Sequence, residues 1–429
     1  MVNGLTDYRS AIDALFARTT AGTKFGLERT EELLDSLDNP HRKFASIHVA
    51  GTNGKGSVVA ACDAVLREKG LRVGRYTSPH LVDFRERILV GGSPITEREV
   101  LRFLERTTAL SERIGATFFE LTTAMAFDHF ARARVDVAVI ETGLGGRLDS
   151  TNVLVPQVAT VTAIGLDHTE ILGSTLDDIA REKAGIFKEG ITAVIGQQDA
   201  RIAGLLRDEA LARGASSVIS VGEAYDISDV SVVATGTSFS LRTDGSARRL
   251  VISLIGEHQA RNATTAVATL LALPETLMPD WNEMEHGFAH VRLPGRFQRH
   301  GRYIFDVAHN PAAADVLARN IQLLSPPHPR TALLAVLADK DWRGVIRSLS
   351  TCVDRFVMAV PPSAPGERTW DPVAAVEFAE SIGAAAALRP EFESALETAG
   401  VGAATVVVTG SFHTVGDAMS RLQVSPFEP

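Results

Sequence analysis

Short apolar runs alternate with longer amphipathic stretches along most of the chain. Residues 44–50, 73–77, 135–141, 158–164 and 193–196 have the length and β-branched content of strands. The run 135–141 is apolar between Asp136 and Glu141, the pattern of a parallel strand covered on both faces. An amphipathic helix is predicted from about Ser57 to Lys69. From 216 to 255 the character changes: residues 230–237, 239–243 and 250–255 are short and punctuated by turns, with Asp244-Gly245 as a hairpin turn. These predict a small antiparallel accessory sheet, followed by a helix from Glu257 to about Leu271. Pro294-Gly295 marks a linker, and αβ alternation then resumes. Strands are expected at 303–307, 332–337, 356–360, 384–388 and 405–409, with a helix from Pro311 to Leu324.

The pattern predicts an α/β protein. A doubly wound, mostly parallel sheet with an antiparallel accessory sheet occupies 1–293, with the accessory segment at about 216–255. A linker spans 294–300, and a smaller Rossmann-like α/β unit spans 301–429. A chain of 429 residues is long enough for more than one core. The net charge of −9 and the lack of a long basic run argue against a nucleic-acid binder. Cys62 and Cys352 are too far apart in sequence to suggest a disulfide framework. The start Met1-Val-Asn-Gly-Leu-Thr-Asp7 has no signal-peptide core, and no apolar run reaches membrane-spanning length. A cytoplasmic location follows as the expectation.

The suggestive polar residues fall after successive strands. Gly51-Thr-Asn-Gly-Lys-Gly-Ser57 follows the first, and Thr77-Ser-Pro-His80 the second. Glu141-Thr-Gly-Leu-Gly-Gly-Arg-Leu-Asp149 follows the third, and Gly165-Leu-Asp-His168 the fourth. In an open α/β sheet the C-terminal strand ends face one crevice, where ligands bind. A glycine turn before a helix offers backbone N–H groups, a positive helix end and here Lys55 to a polyphosphate. The common pattern G-x-x-x-x-G-K-[ST] fails, because Val49 replaces the first glycine and Gly56 separates Lys55 from Ser57. Ser78 and Glu141 suit Mg²⁺, whereas a histidine such as His168 is less usual on so hard a cation. Each feature taken alone has a structural reading as a turn, a strand end or a helix cap. Their joint placement at strand ends is what points to a site. Gly143-Leu-Gly-Gly-Arg-Leu148 fails the dinucleotide fingerprint at Leu148, and no Gly-x-Ser-x-Gly elbow exists, so dehydrogenase and serine-hydrolase readings are poor. A nucleotide-binding switch without chemistry is the alternative of a different class.

The loop His48-Val-Ala-Gly-Thr-Asn-Gly-Lys-Gly-Ser57 resembles that of the folylpolyglutamate synthase and dihydrofolate synthase family, within the Mur ligases. Matching motifs run in order along nearly the whole chain: Lys24-Phe-Gly-Leu-Glu-Arg29, Tyr76-Thr-Ser-Pro-His-Leu81, Phe84-Arg-Glu-Arg-Ile88, Glu141 to Asn152, Leu166-Asp-His168, Arg181-Glu-Lys-Ala-Gly-Ile186, Gly256-Glu-His-Gln-Ala-Arg-Asn262, Leu293-Pro-Gly-Arg-Phe297, Phe305-Asp-Val-Ala-His-Asn-Pro311, Ala338-Asp-Lys-Asp341 and Val408-Thr-Gly-Ser411. The extra glycine after the lysine is the family's own form of the loop.

The resemblance implies ATP-dependent ligation of L-glutamate to dihydropteroate or to reduced folates through an acyl phosphate; extension of folates alone is the narrower alternative. It implies ATP on Gly51, Thr52, Asn53, Gly54, Lys55, Gly56, Ser57, Asn262, Arg296 and Asp306. Mg²⁺, at two sites, falls to Ser57, Ser78, Glu141, His168 and Lys183, the last as a carbamate; K⁺ is a further candidate cation. Lys55, His168, Lys183, Arg296 and His309 are the implied catalytic set, with His309 the candidate acceptor of the amine proton. His309 and Ser411 match positions for the incoming glutamate. Leu27, Pro79, Phe119, Asp149 and Ser150 are the expected walls for the pterin-bearing substrate. A monomer that binds neither nucleic acid nor membrane is expected.

Overall fold

A computed structural model describes residues 7–18, 26–243 and 245–427. Residues 1–6, Lys24 and Phe25 of the first family motif, and Asp244 of the expected hairpin turn lie outside the described residues.

The first sheet has eight strands: β1 (Ala45–Ala50), β2 (Val73–Tyr76), β3 (Ile88–Val90), β4 (Ser93–Pro94), β5 (Val137–Glu141), β6 (Val158–Val161), β7 (Thr192–Ile195) and β8 (Ser217–Ser220). Their spatial order is β4-β3-β2-β5-β1-β6-β7-β8. All neighbours from β2 to β8 pair in parallel, and β3 and β4 close one edge as an antiparallel hairpin. β1 lies between β5 and β6, so the chain passes to opposite sides of it and opens a crevice at its C-terminal end. One face is covered by the helices Lys55–Glu68 and Glu257–Leu271, which pack Val58, Val65 and Val267 against Val49 and Val139. The helices Glu97–Ile114 and Phe118–Ala133 bury Phe103, Phe127 and Phe130 against Tyr76, Ala138 and Ile140 on the other.

The second sheet is antiparallel, in the order β11-β10-β9: β9 (Asp226–Val233), β10 (Gly236–Thr243) and β11 (Ser246–Ile252). Two expectations are corrected here. The strand expected at 230–237 is two strands joined by a turn at Ala234-Thr235, with Gly236 opposite Val233. Residues 217–220 do not belong to this sheet but form β8, because their backbone pairs in parallel with β7.

The third sheet takes the order β12-β13-β17-β14-β15-β16: β12 (Gln298–His300), β13 (Tyr303–Asp306), β14 (Arg330–Leu334), β15 (Arg355–Met358), β16 (Ala385–Leu388) and β17 (Thr405–Thr409). It is parallel apart from β12. Residues 298–300, expected in the linker, are therefore an edge strand, which β13 recruits by antiparallel pairing. The helix Pro311–Leu324 starts with proline at its first turn, capped by the Asn310 side chain on Ala313 N–H. Among the described residues, no helix is long and apolar enough to cross a membrane.

Candidate active site

The strand order sets the site. The turn after β1 runs straight into the helix Lys55–Glu68, two residues earlier than its hydrophobic pattern predicts. Gly54 occupies the position before this helix at φ +93°, and a Cβ there would sit 2.5 Å from Asn262 Oδ1. Glycine is thus required both by the backbone and by the close approach of the helix Glu257–Leu271. The loop is tied to the end of β6: Thr52 and Asn53 N–H donate to Ala163 O at 2.9 and 3.2 Å, and Thr162 Oγ1 donates to Asn53 O at 2.8 Å. Lys55 Nζ folds back onto Gly51 O at 3.0 Å. Gly56 leaves room beside Glu141, whose Oε2 would be 3.8 Å from a Cβ at that position.

Glu141 ends β5 inside the protein. Ser78 N–H donates to its Oε2 at 3.3 Å, which ties the end of β2 to the end of β5. Burial pushes the Glu141 carboxyl up, and Lys55 opposes it. Burial brings the His168 imidazole down to about 4, against the pull of Asp167, so His168 is neutral near pH 7, the form that ligates metals. Lys183 is buried on the helix Leu176–Ala184, and burial, with the Lys55 charge second, brings its ammonium down to about 7. Among the described residues no group of three or more His, Cys, Asp or Glu side chains forms a preassembled metal cage. A largely unpartnered buried carboxylate beside two serine hydroxyls, Ser57 and Ser78, nevertheless fits Mg²⁺, which takes few protein ligands and shares phosphate oxygens.

The C-terminal unit supplies the opposite wall. Arg296 is half-buried, with Asp306 and Glu141 close enough to stabilise its charge, and its guanidinium lies 5.4 Å from the Phe412 ring centroid. The Asp306 carboxylate accepts from Phe297 N–H at 2.9 Å and Ala308 N–H at 3.0 Å. Ser411 caps the helix Phe412–Arg421, with its Oγ 3.0 Å from Thr414 N. His309 Nδ1 is 3.1 Å from Val307 O, and its Nε2 is 3.5 Å from Asp167 Oδ2 across the domain boundary.

All these groups line one cavity of about 940 Å³ between the two units. Every candidate residue reaches it except Leu27. Leu27 sits before the helix Glu28–Ser36 and, among the described residues, is not one that lines the cavity. Asp149 is turned toward its own loop: it accepts from Gly143 and Leu144 N–H at 2.9 and 2.8 Å and from Thr151 N–H at 3.0 Å. It shapes the wall that Phe119 completes.

Several cavity residues escaped the sequence reading. Arg87 is buried, donates from Nε to His80 Nδ1 at 2.8 Å and lies 5.1 Å from the Phe118 ring centroid. His258 opens the helix Glu257–Leu271, and burial holds its imidazole down to about 4. Asp167 receives Lys340 Nζ at 2.5 Å. Burial pushes the Asp167 carboxyl up, but the bonds and charges of His309, His168 and Lys340 prevail and hold it well below the usual carboxylate range. The motifs at 84–88, 166–168, 256–262 and 338–341 contained these residues, but nothing local singled them out.

Comparison with known proteins bears on the same cavity. Residues 49–270 match the Mur ligase middle domain, and residues 295–412 match the Mur ligase glutamate ligase domain. The dihydrofolate synthase/folylpolyglutamate synthase of Bacillus subtilis is 32% identical over 97% of this chain and 100% of its own length. The Escherichia coli protein solved with DHPP and ADP matches with a TM-score of 0.87 at 32% identity, covering 99% of each chain. A bifunctional folylpolyglutamate synthase/dihydrofolate synthase solved with Mn, AMPPNP and L-glutamate matches with a TM-score of 0.84 at 33% identity, over 98% of this chain and 99% of the other.

Proposed function

The chain belongs to the folylpolyglutamate synthase/dihydrofolate synthase family of the Mur ligases, ATP-dependent enzymes that ligate glutamate to folates, and from that premise we propose how its own residues divide the work. The acceptors are dihydropteroate and reduced folates. The unit spanning 1–293 binds ATP and the acceptor, and the unit from 301 onward binds L-glutamate.

The acceptor carboxylate takes the γ-phosphoryl group of ATP, which gives an acyl phosphate and ADP. The glutamate amine then attacks the acyl carbon, the amide forms, and phosphate leaves as the amine loses a proton. A carboxylate and a triphosphate repel each other, so the first step needs positive charge placed in advance. Lys55 and the loop N–H groups hold the phosphates from one side, while Arg296 meets them from the other. Asn262, packed against Gly54, and Asp306 hold the nucleotide at the domain junction. Ser57, Ser78, Glu141 and His168 would hold Mg²⁺, with Lys183 joining as its carbamate. Mg²⁺ bound there would offset charge on the phosphates. The Pro79 and Phe119 side of the cavity takes the pterin ring, with Asp149 and Ser150 shaping its wall. His309 and Ser411 face the incoming glutamate, with His309 the candidate acceptor of its amine proton. Closure of the C-terminal unit over the cavity keeps water from the acyl phosphate.

One observation carries this reading: Lys55, Glu141 and Lys183 of one unit, Arg296 of the linker and His309 of the other unit line a single cavity. A nucleotide switch would not need the second wall. The test is ADP release with L-glutamate plus either dihydropteroate or a reduced folate. Release dependent on both substrates is expected, and no release with either acceptor would overturn the assignment.

A further inference from the structure

Asp167 belongs to the N-terminal unit, where His168 Nε2 stands 3.9 Å away, yet its closer side-chain partners belong to the other. Lys340 Nζ meets Oδ1 at 2.5 Å, and His309 Nε2 stands 3.5 Å from Oδ2. The Lys340 side chain is 8% exposed and that of Asp167 12%. A carboxylate and an ammonium are therefore withdrawn from water together across a domain boundary, a costly arrangement if either stands alone. None of the roles assigned above uses this carboxylate.

Its position is paradoxical for a polyanion site. Asp167 lines the same cavity as Lys55 and lies within electrostatic reach of Lys183. Unpaired, it would repel a triphosphate. Paired with Lys340, its charge is cancelled, while His309 stands at its other oxygen. The pairing exists only when the C-terminal unit is docked, and the same contact sets the edge of the His309 ring that faces away from Val307 O.

We infer that Asp167 is a positioning residue that couples nucleotide binding to domain closure: repulsive to phosphate when the units part, neutralised by Lys340, with His309 at its other oxygen, when they meet. A ligand that prefers the neutralised site shifts the equilibrium toward the closed form by its differential affinity. The triphosphate thereby draws His309 into place before the acyl phosphate forms. This rests on the ligase reading above.

Three variants separate the coupling from an ordinary ion pair: Asp167→Asn, Lys340→Met and the two combined. The first readout is binding of Mg²⁺–AMPPNP by calorimetry, which needs no turnover. Lys340→Met leaves the carboxylate bare and should weaken binding about tenfold. Asp167→Asn should leave binding unchanged or tighter, and the double variant should match Asp167→Asn. Equal weakening in both single variants, or a double variant as weak as Lys340→Met, would overturn the coupling. The second readout is ADP formed per amide bond. It should rise above one in all three variants, with a raised KM for L-glutamate, as closure fails and water reaches the acyl phosphate. A ratio of one with unchanged glutamate KM in Asp167→Asn would equally overturn it. Failure of the wild-type protein to form ADP with both substrates would instead overturn the ligase reading and leave the calorimetric test standing.

Discussion

Lys183 lies buried within electrostatic reach of Lys55, and burial, helped by that neighbouring charge, brings its ammonium down to about 7. A lysine amine must be unprotonated to add CO₂, and ordinary lysines at neutral pH almost never are. Here a large fraction is free amine near pH 7. Burial disfavours either charge, but the Lys55 ammonium that opposes a second cation favours an anionic carbamate. The expected outcome is a carbamate signal in ¹³C NMR of protein equilibrated with labelled bicarbonate, absent in Lys183→Ala. That variant should lose at least about a hundredfold in turnover and recover part of it with added formate or acetate. Labelled wild-type protein without the signal would leave Lys183 a structural amine.

Lys55 has its Nζ on the loop carbonyl of Gly51 at 3.0 Å, so the ammonium is held over the phosphate turn before any ligand arrives. Its work is on developing phosphate charge. Lys55→Ala should therefore cut ADP formation by at least about a hundredfold, and not merely raise the KM for glutamate. Steady-state ADP release at saturating L-glutamate checks this. Near-normal turnover would remove the loop from the nucleotide site.

The chemistry was legible in the sequence because it sits at strand ends. Strands of a parallel sheet announce themselves as apolar runs, and the residues that follow them must share one crevice, so Ser78, Glu141 and His168 could be brought together on paper. The pair Asp167 and Lys340 could not, because a contact between residues so far apart in sequence leaves no periodic trace. The accessory sheet is legible as an antiparallel sheet, but its strand bounds are not, for a local reason. Its first turn, Ala234-Thr235, carries no strong turn former until Gly236, so two strands look like one. β8 was misplaced because an edge strand of a parallel sheet is assigned by its partner, β7, and not by its own composition.

Gly143 follows β5 directly beneath the aromatic wall. A Cβ there would be 2.4 Å from Phe119 Cζ, a distance real side chains do not reach. Gly143→Ala must push the Phe119 ring into the cavity or away from it. The three atoms nearest to such a Cβ all belong to Phe119, and none belongs to the nucleotide loop after β1. The variant should raise the KM for dihydropteroate or folate about tenfold or more while the KM for ATP stays within about twofold. Initial rates at varied acceptor and varied ATP separate the two. A change in the ATP term alone would move the pterin pocket elsewhere.

His48 lies at the centre of β1, fully buried, with Nε2 2.8 Å from Thr151 Oγ1. Burial holds its imidazole down to about 3, well below the ordinary value of 6.5. The unfolded chain therefore takes up a proton below about 6.5 that the native state refuses until about 3. Stability is unaffected by this group above pH 6.5 and falls steadily as the pH drops from there toward 3. At pH 4 the loss from His48 alone should be roughly 3 kcal/mol. Urea unfolding of the wild-type protein and of His48→Gln at pH 7 and pH 4 measures it. Glutamine keeps a hydrogen-bonding partner for Thr151 but cannot titrate. The variant should be less stable than the wild type at pH 7 and lose markedly less on going to pH 4. Equal losses in the two proteins would mean that His48 is protonated in the native state, and that the strand beneath the nucleotide loop is more open to water than its burial implies.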